Sequence, residues 1–234
     1  YRRDFHRYAE SGWTELRTAS LVARRLTELG LQVEIGRQVV RDEDRMGLPT
    51  PEALEEHWQR ALEQGGDPEF LAEVKGGFTG VVGILGNGDG PTVGLRFDMD
   101  AVDIKECQDQ GQRPAREGFA SVNEDAMHAC GHDVHITSLV GTARQMSARR
   151  DQWSGTLMLV VQPAEERVLG ARNMRDDTLW ERFGTPDYAL AFHVGAGSPA
   201  GKIDAPEGPA YAGADTVDII VHGVGAHGAS PHRG

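Results

Sequence analysis

The densest concentration of reactive side chains is the stretch Met127, His128, Ala129, Cys130, Gly131, His132, Asp133, Val134 and His135, where a loop runs into a helix-like segment. A thiol, imidazoles and a carboxylate in so short a span form an edge rich in ligands for a divalent cation, and Gly131 permits the turn that aims Cys130 and His132 at one point. Taken alone, the same cluster reads equally as a buried cysteine beside surface histidines. His128 and His135 are read as lying outside any ligand set. A second group, Gln162, Pro163, Ala164, Glu165 and Glu166, follows the most apolar run in the chain. Adjacent carboxylates at the C-terminal end of a buried strand occupy the edge where open α/β sheets place their sites. Like charges there need a counter-charge, and a metal ion supplies one. Without context, two solvated glutamates opening a loop are the commoner reading. Asp98 and Asp100 stand two apart on an extended run, so both fall on one side of it, placed to orient a histidine, bind metal or cap a turn. His193 closes another apolar run, where a lone histidine is more often a satisfied core residue. A two-metal hydrolytic site accounts for all four groups at once: thiolate, imidazole and carboxylate bind the ions, and a nearby glutamate takes a proton from water.

The elements that must position these groups follow from periodicity. Apolar residues at Leu16, Ala19, Val22, Leu26 and Leu29, followed by Gly30, predict an amphipathic helix over residues 14–29. Residues 32–40 look extended. The polar segment 41–77 reads as a surface insertion with its own helix start at Thr50, Pro51 and Glu52. Residues 80–85 and 92–97 are β-rich runs separated by Asn87, Gly88, Asp89, Gly90 and Pro91, which suggests a hairpin. Beyond residue 121 the pattern predicts a helix over 134–149, a strand over 156–161, a helix over 171–183 and a strand over 188–194. Such alternation argues an α/β domain whose sheet is covered on both faces. Val217, Ile219 and Val221 then alternate as a strand opening a new unit. We expect one domain over residues 1–210 and the beginning of a second over 211–234.

Composition narrows the function classes. The 234 residues carry 24 Lys and Arg against 36 Asp and Glu, a net charge of −12 that repels phosphate backbones and anionic lipid, so neither nucleic acid nor a membrane is an expected partner. No apolar run is long enough to span a bilayer. Two cysteines, Cys107 and Cys130, form no disulfide framework, and the chain reads as cytoplasmic.

Residues 2–6 with Glu10, the run 94–100, residues 127–133, residues 162–166, the triplet Phe192, His193 and Val194, and residues 223–229 occur in an order that resembles the M20 peptidase family, in its amidohydrolase branch of N-acyl-amino-acid and auxin-conjugate hydrolases. Residues 45–49, 76–80 and 116–121 bring the resemblance nearest to members that cleave p-aminobenzoyl-glutamate. The resemblance implies a zinc-peptidase-like catalytic domain followed by a smaller α+β lid and dimerisation domain. It implies two divalent ions, zinc or manganese, held by Cys130, His132, Glu166 and His193, with Glu165 as the general base and Asp100 orienting the site. Asp98 stands where other branches have histidine. His227 matches a lid histidine that reaches into the partner subunit's site and stabilises the oxyanion, an effect worth several powers of ten in rate. It also implies one more ligand histidine beyond residue 234, so the chain reads as a portion of a longer enzyme, a homodimer or a heterodimer with a related subunit. The expected reaction is hydrolysis of the amide bond of an N-acyl amino acid, p-aminobenzoyl-glutamate first, giving p-aminobenzoate and glutamate. Alternatives are another acyl group (acetyl, benzoyl or indole-acetyl), a non-catalytic metal-binding subunit, or Cys130 acting as a nucleophile with His132 as its base.

Overall fold

The computed structural model describes the chain except residues 177–178, 214–216, 218, 221, 226, 228 and 234. In chain order the elements are α1 (Arg2–Arg7), α2 (Leu16–Glu28), β1 (Gln32–Ile35), α3 (Pro51–Glu63), α4 (Pro68–Val74), β2 (Val81–Asn87), β3 (Thr92–Asp98), α5 (Arg113–Arg116), α6 (His132–Ala148), β4 (Gly155–Gln162), α7 (Gly170–Asp176), α8 (Leu179–Phe183) and β5 (Tyr188–Ala191). Helix α2 buries Leu16, Ala19, Val22, Ala23 and Leu26 completely. It ends where its period ends: Gly30 takes φ +82°, its amide donates to Thr27 O, and the Leu31 amide donates to Leu26 O. This is the reciprocal C-terminal cap that a left-handed glycine makes possible.

The strands form one mixed sheet in the order β1-β2-β4-β3-β5. β2 and β3 are therefore not a hairpin, as the turn residues between them suggested. β4 lies between them, antiparallel to β2 and parallel to β3. Two features produce this arrangement. The connection from β2 to β3 crosses the start of β4 at Gly155, where a Cβ would stand 2.3 Å from Pro91 O, so only glycine lets it pass. β4 is also apolar on both faces and needs a central place in the sheet. Leu157, Leu159 and Val161 enter one core cluster with α2, α6 and Phe97, while Met158 and Val160 meet Trp13, Phe78, Met174 and Leu179 on the other side.

Segment 41–77, expected as a surface insertion, sends Ala61, Leu71 and Val74 into the main core from α3 and α4. Thr50 does cap α3, accepting from the Ala53 amide, with Pro51 in its first turn. The helix expected over 171–183 comprises α7 and α8, and the strand expected over 188–194 ends at Ala191. The chain divides into two compact units, Tyr1–Gly197 and Ser198–Gly234, earlier than the boundary expected near residue 210. The strand expected over residues 217–222 includes Asp218 and Val221, which lie outside the described residues. Among the described residues no helix is long and apolar enough to cross a membrane.

Candidate metal centre

Four segments meet at the C-terminal ends of the parallel strands β3, β4 and β5: the end of β3, the start of α6, the turn after β4 and the residues that follow β5. His132, fully buried as the first residue of α6, is common to three groups whose ligand atoms lie within 4.8 Å of one another. These are Cys130 with His132 and His193, His132 with Glu165 and Glu166, and Asp98 with His132 and His135. The structure thus brings together Cys130, His132, His193, Glu165, Glu166 and Asp100 in the first unit. His227 belongs to the second, where its Nδ1 accepts from the Ala229 amide.

Hydrogen bonds decide which nitrogens face inward. His132 Nδ1 lies 2.8 Å from the Asp100 main-chain carbonyl, which only accepts, so Nδ1 carries the proton and donates it there. Its Nε2 is buried without a hydrogen-bond partner, 3.9 Å from Glu165 and 4.0 Å from Glu166. His193 repeats the arrangement: Nδ1 donates to Val194 O at 2.7 Å and Nε2 stands 3.4 Å from Cys130 Sγ. His135 differs. The Val194 amide donates to its Nε2 at 3.0 Å, leaving the Nδ1 proton for Asp98 Oδ1 at 2.5 Å. Both its nitrogens are engaged, so His135 fastens Asp98 and offers no ligand atom. His128 is buried with neither ring nitrogen partnered, and burial pushes it down to about 3.

The acids are organised around these rings. Asp100 Oδ2 accepts the Glu166 amide at 2.8 Å, tying β3 to the acidic turn. Asp98, fully buried, has an Arg96 nitrogen 2.7 Å from its Oδ2 as an ion pair without a well-directed hydrogen bond. Burial opposes its ionisation, but His135, His132 and Arg96 together hold its carboxyl below the usual range. The turn itself is strained. Ala164 adopts φ 49° and Val168 φ 71°, left-handed values that cost a residue with a Cβ about 1–3 kcal/mol each and persist only where the surroundings enforce them.

Charge shows what the cluster lacks. Burial and then the Glu166, Glu165 and Asp98 carboxylates push the Cys130 thiol up to about 12. Burial works to lower His132, but Asp100, Asp98 and Glu165 outweigh it and raise the ring to about 9. Burial raises the Glu165 carboxyl, with Asp98 and Asp100 adding to it against His132 and Arg96. An unpartnered imidazole nitrogen, a thiol and several acids crowded beyond their own counter-charge are the donor set for divalent cations, which would discharge thiol and ring together. Without a cation, a thiol held near 12 is a poor nucleophile.

Sequence reading passed over two residues at this site. Arg96 bridges Gln162 Oε1 at 2.7 Å, Asp98 and, at 3.9 Å, Glu165; its position two before Asp98 on the same strand side was the available signal. Glu15, 149 residues before the turn it touches, gave no signal.

The family model for peptidase family M20/M25/M40 matches residues 94–228, which include all three groups of ligand atoms. The chain belongs to that family. This M20 chain is 46% identical over 204 residues to one of the subunits of p-aminobenzoyl-glutamate hydrolase from Escherichia coli K12, covering 87% of this chain and 46% of that protein. It is 43% identical over 242 residues to indole-3-acetyl-aspartic acid hydrolase of Enterobacter agglomerans, covering 100% and 53%. Among solved structures, an aminobenzoyl-glutamate utilization protein from Klebsiella pneumoniae superposes with TM-score 0.69 at 40% identity, covering 85% of this chain and 43% of that one. A Bacillus subtilis M20 protein described as a dinuclear metal-binding peptidase superposes with TM-score 0.60 at 27% identity, covering 85% and 42%. The M20 chain spans about half the length of these relatives.

Proposed function

We propose that this M20 chain carries the metal-binding half of an amide hydrolase whose substrate is an acidic amino acid bearing an aromatic acyl group, p-aminobenzoyl-glutamate first among them. The carrying observation is the convergence of His132 Nε2 and His193 Nε2, each set by a proton on Nδ1, with Cys130 and the Glu165–Glu166 pair. The two hydrolases named above share the choice of substrate class: one acts on a glutamate amide, the other on an aspartate amide, both with aromatic acyl groups.

In this reading Cys130, His132, Glu166 and His193 hold two divalent cations. Bound there, the cations supply Lewis acidity toward the amide carbonyl and ease ionisation of water. Glu165 takes the proton of the attacking water and returns it to the leaving nitrogen. Asp100 keeps the Glu166 backbone and the His132 ring in register through its carboxylate and carbonyl. His227 donates to the oxyanion across a subunit boundary. The thiolate favours zinc, while the carboxylates also accept manganese. Two free thiols fit a reducing, cytoplasmic setting, and assembly with a second copy or a related subunit is part of the same reading.

The deciding experiment uses the purified protein at its full natural length, loaded with zinc or with manganese. Release of the free amino acid is followed from p-aminobenzoyl-glutamate, indole-3-acetyl-aspartate, N-acetyl amino acids and hippurate, alongside metal analysis. Turnover greatest on the aromatic acyl amides of glutamate or aspartate, with two bound ions per chain, is expected. Failure to hydrolyse any of them with either metal, or less than one tightly bound ion, sinks the reading in favour of a non-catalytic subunit.

A further inference from the structure

The acidic turn after β4 is held by two carboxylates arriving from distant parts of the chain. One is Asp100, at the end of β3. The other, Glu15, precedes α2, is fully buried, and turns its side chain away from its own helix, where it makes no capping bond. Its Oε1 accepts the Ala164 amide at 2.7 Å, and its Oε2 accepts the Thr79 hydroxyl at 2.6 Å. The hydroxyl comes from the segment leading into β2, so Glu15 is itself held from a neighbouring strand.

Glu10 offers the contrast. It is equally buried, but its two oxygens accept the Arg17 and Thr18 amides at the start of α2, an ordinary use for a carboxylate. Nothing in α2 accounts for Glu15. A carboxylate without a cation, buried against neutral donors, is an expensive choice unless its position matters. Its partner is Ala164, the residue forced to left-handed dihedrals at the head of Glu165–Arg167. The backbone beneath is also packed closely, because a Cβ on Gly12 would stand 3.1 Å from Ala164 Cα.

We propose that Glu15 is a positioning residue for the metal centre: by accepting the Ala164 amide, it holds the strained turn that aims Glu165 and Glu166 at His132. The proposal rests on the metal-centre reading above. The hydrogen bonds of the Glu15 side chain go to Ala164 and Thr79 and to none of the proposed ligands, so what counts is those two bonds. Glutamine keeps both, accepting from Ala164 with its carbonyl and donating to Thr79 Oγ1 with its amide. Alanine keeps neither.

The test is cobalt(II) titration of the full chain, following the visible spectrum of the thiolate-bound ion, with deuterium exchange at the Glu165 and Glu166 amides of the metal-free chain. Removing a supporting partner of a metal ligand costs about 10- to 100-fold in affinity, so Glu15→Ala is expected to weaken cobalt binding by at least about tenfold and Glu15→Gln by less than about threefold. Exchange at the two amides should be faster in Glu15→Ala and unchanged in Glu15→Gln. Glu10→Gln, which lowers the melting temperature through α2, should leave both readouts alone. Cobalt binding by Glu15→Ala as tight as the parent's overturns the proposal, as does equal weakening by Ala and Gln. If Glu15→Ala does not fold, Thr79→Val removes only the bond that steadies Oε2; it should weaken cobalt binding and speed the exchange, and no change in either overturns the proposal. If the parent itself takes up no cobalt, the metal-centre reading fails, and the exchange comparison alone decides whether Glu15 holds the turn.

Discussion

The Nδ1 proton of His132 is bonded to the main-chain carbonyl of Asp100 at 2.8 Å, and that bond turns the other nitrogen of the ring toward Glu165 and Glu166. The carbonyl belongs to the backbone two residues beyond β3, beside the bridge between Ala101 and Ser11, so the tautomer of the ring is set by the main chain. A side chain in that place would have been free to rotate away.

Glu165 and Glu166 are neighbours with separate duties in the proposed reaction, and substitution should separate them. Glu165→Ala is expected to retain its metal and lose kcat by about two to four powers of ten, the usual contribution of a positioned base. Glu166→Ala should lose metal as well as activity. Elemental analysis beside kcat tells the two apart, and a Glu165→Ala enzyme turning over at the parent's rate removes Glu165 from the base's role.

Cation binding should expel protons. Near neutral pH the Cys130 thiol, pushed up to about 12, and the His132 ring, raised to about 9, both hold a proton in the metal-free chain, and ligation displaces each. Apparent affinity therefore rises with pH. Calorimetry in buffers of different ionisation enthalpy measures the release, and binding without it contradicts the ligand roles of Cys130 and His132.

His6 lies between two buried acids, with Nδ1 3.0 Å from Asp133 and Nε2 3.0 Å from Glu106. Burial works against its charge, yet the two carboxylates outweigh burial and the folded-state pKa is raised. The resulting stabilisation is complete below the unfolded value of about 6.5 and disappears as pH rises through the folded one. His6→Asn should therefore flatten the fall in melting temperature as pH rises above about 6.5, measured against the parent. Parallel curves for the two proteins would falsify this assignment.

Gly131 separates Cys130 from His132 with φ +85°, and a Cβ there would meet Val194 Cγ2 at 2.7 Å, beside His193. Gly131→Ala is expected to cost about 1–2 kcal/mol of stability from the backbone alone. It should also weaken cobalt binding, because the displaced neighbour adjoins His193, a proposed ligand. Urea unfolding and the cobalt titration report the two effects independently.

The residues themselves determined the chemistry of this protein. Glu165, Glu166 and His193 sit where apolar runs end, and Cys130 and His132 where a helix period begins; such boundaries are visible because strands and helices impose fixed periods on buried side chains. The capped ends of α2 and α3 were legible for the same local reason. Relationships between segments far apart in the chain were not. The insertion of β4 between β2 and β3 depends on a clearance at Gly155 that appears only once Pro91 is beside it. The burial of α3 and α4 depends on α2 presenting a face to receive them. Periodicity placed His135 on a helix, but only the Val194 amide arriving from beyond β5 showed that both its nitrogens are spent. Glu15 is the extreme case. Its sequence neighbourhood places it only in the first turn of an expected helix, whereas in the fold Trp13 and Leu16 on either side of it enter different cores and its side chain reaches Ala164. Local pattern records which groups a chain carries, whereas hydrogen bonds between remote segments, made only in the packed state, decide which way those groups face.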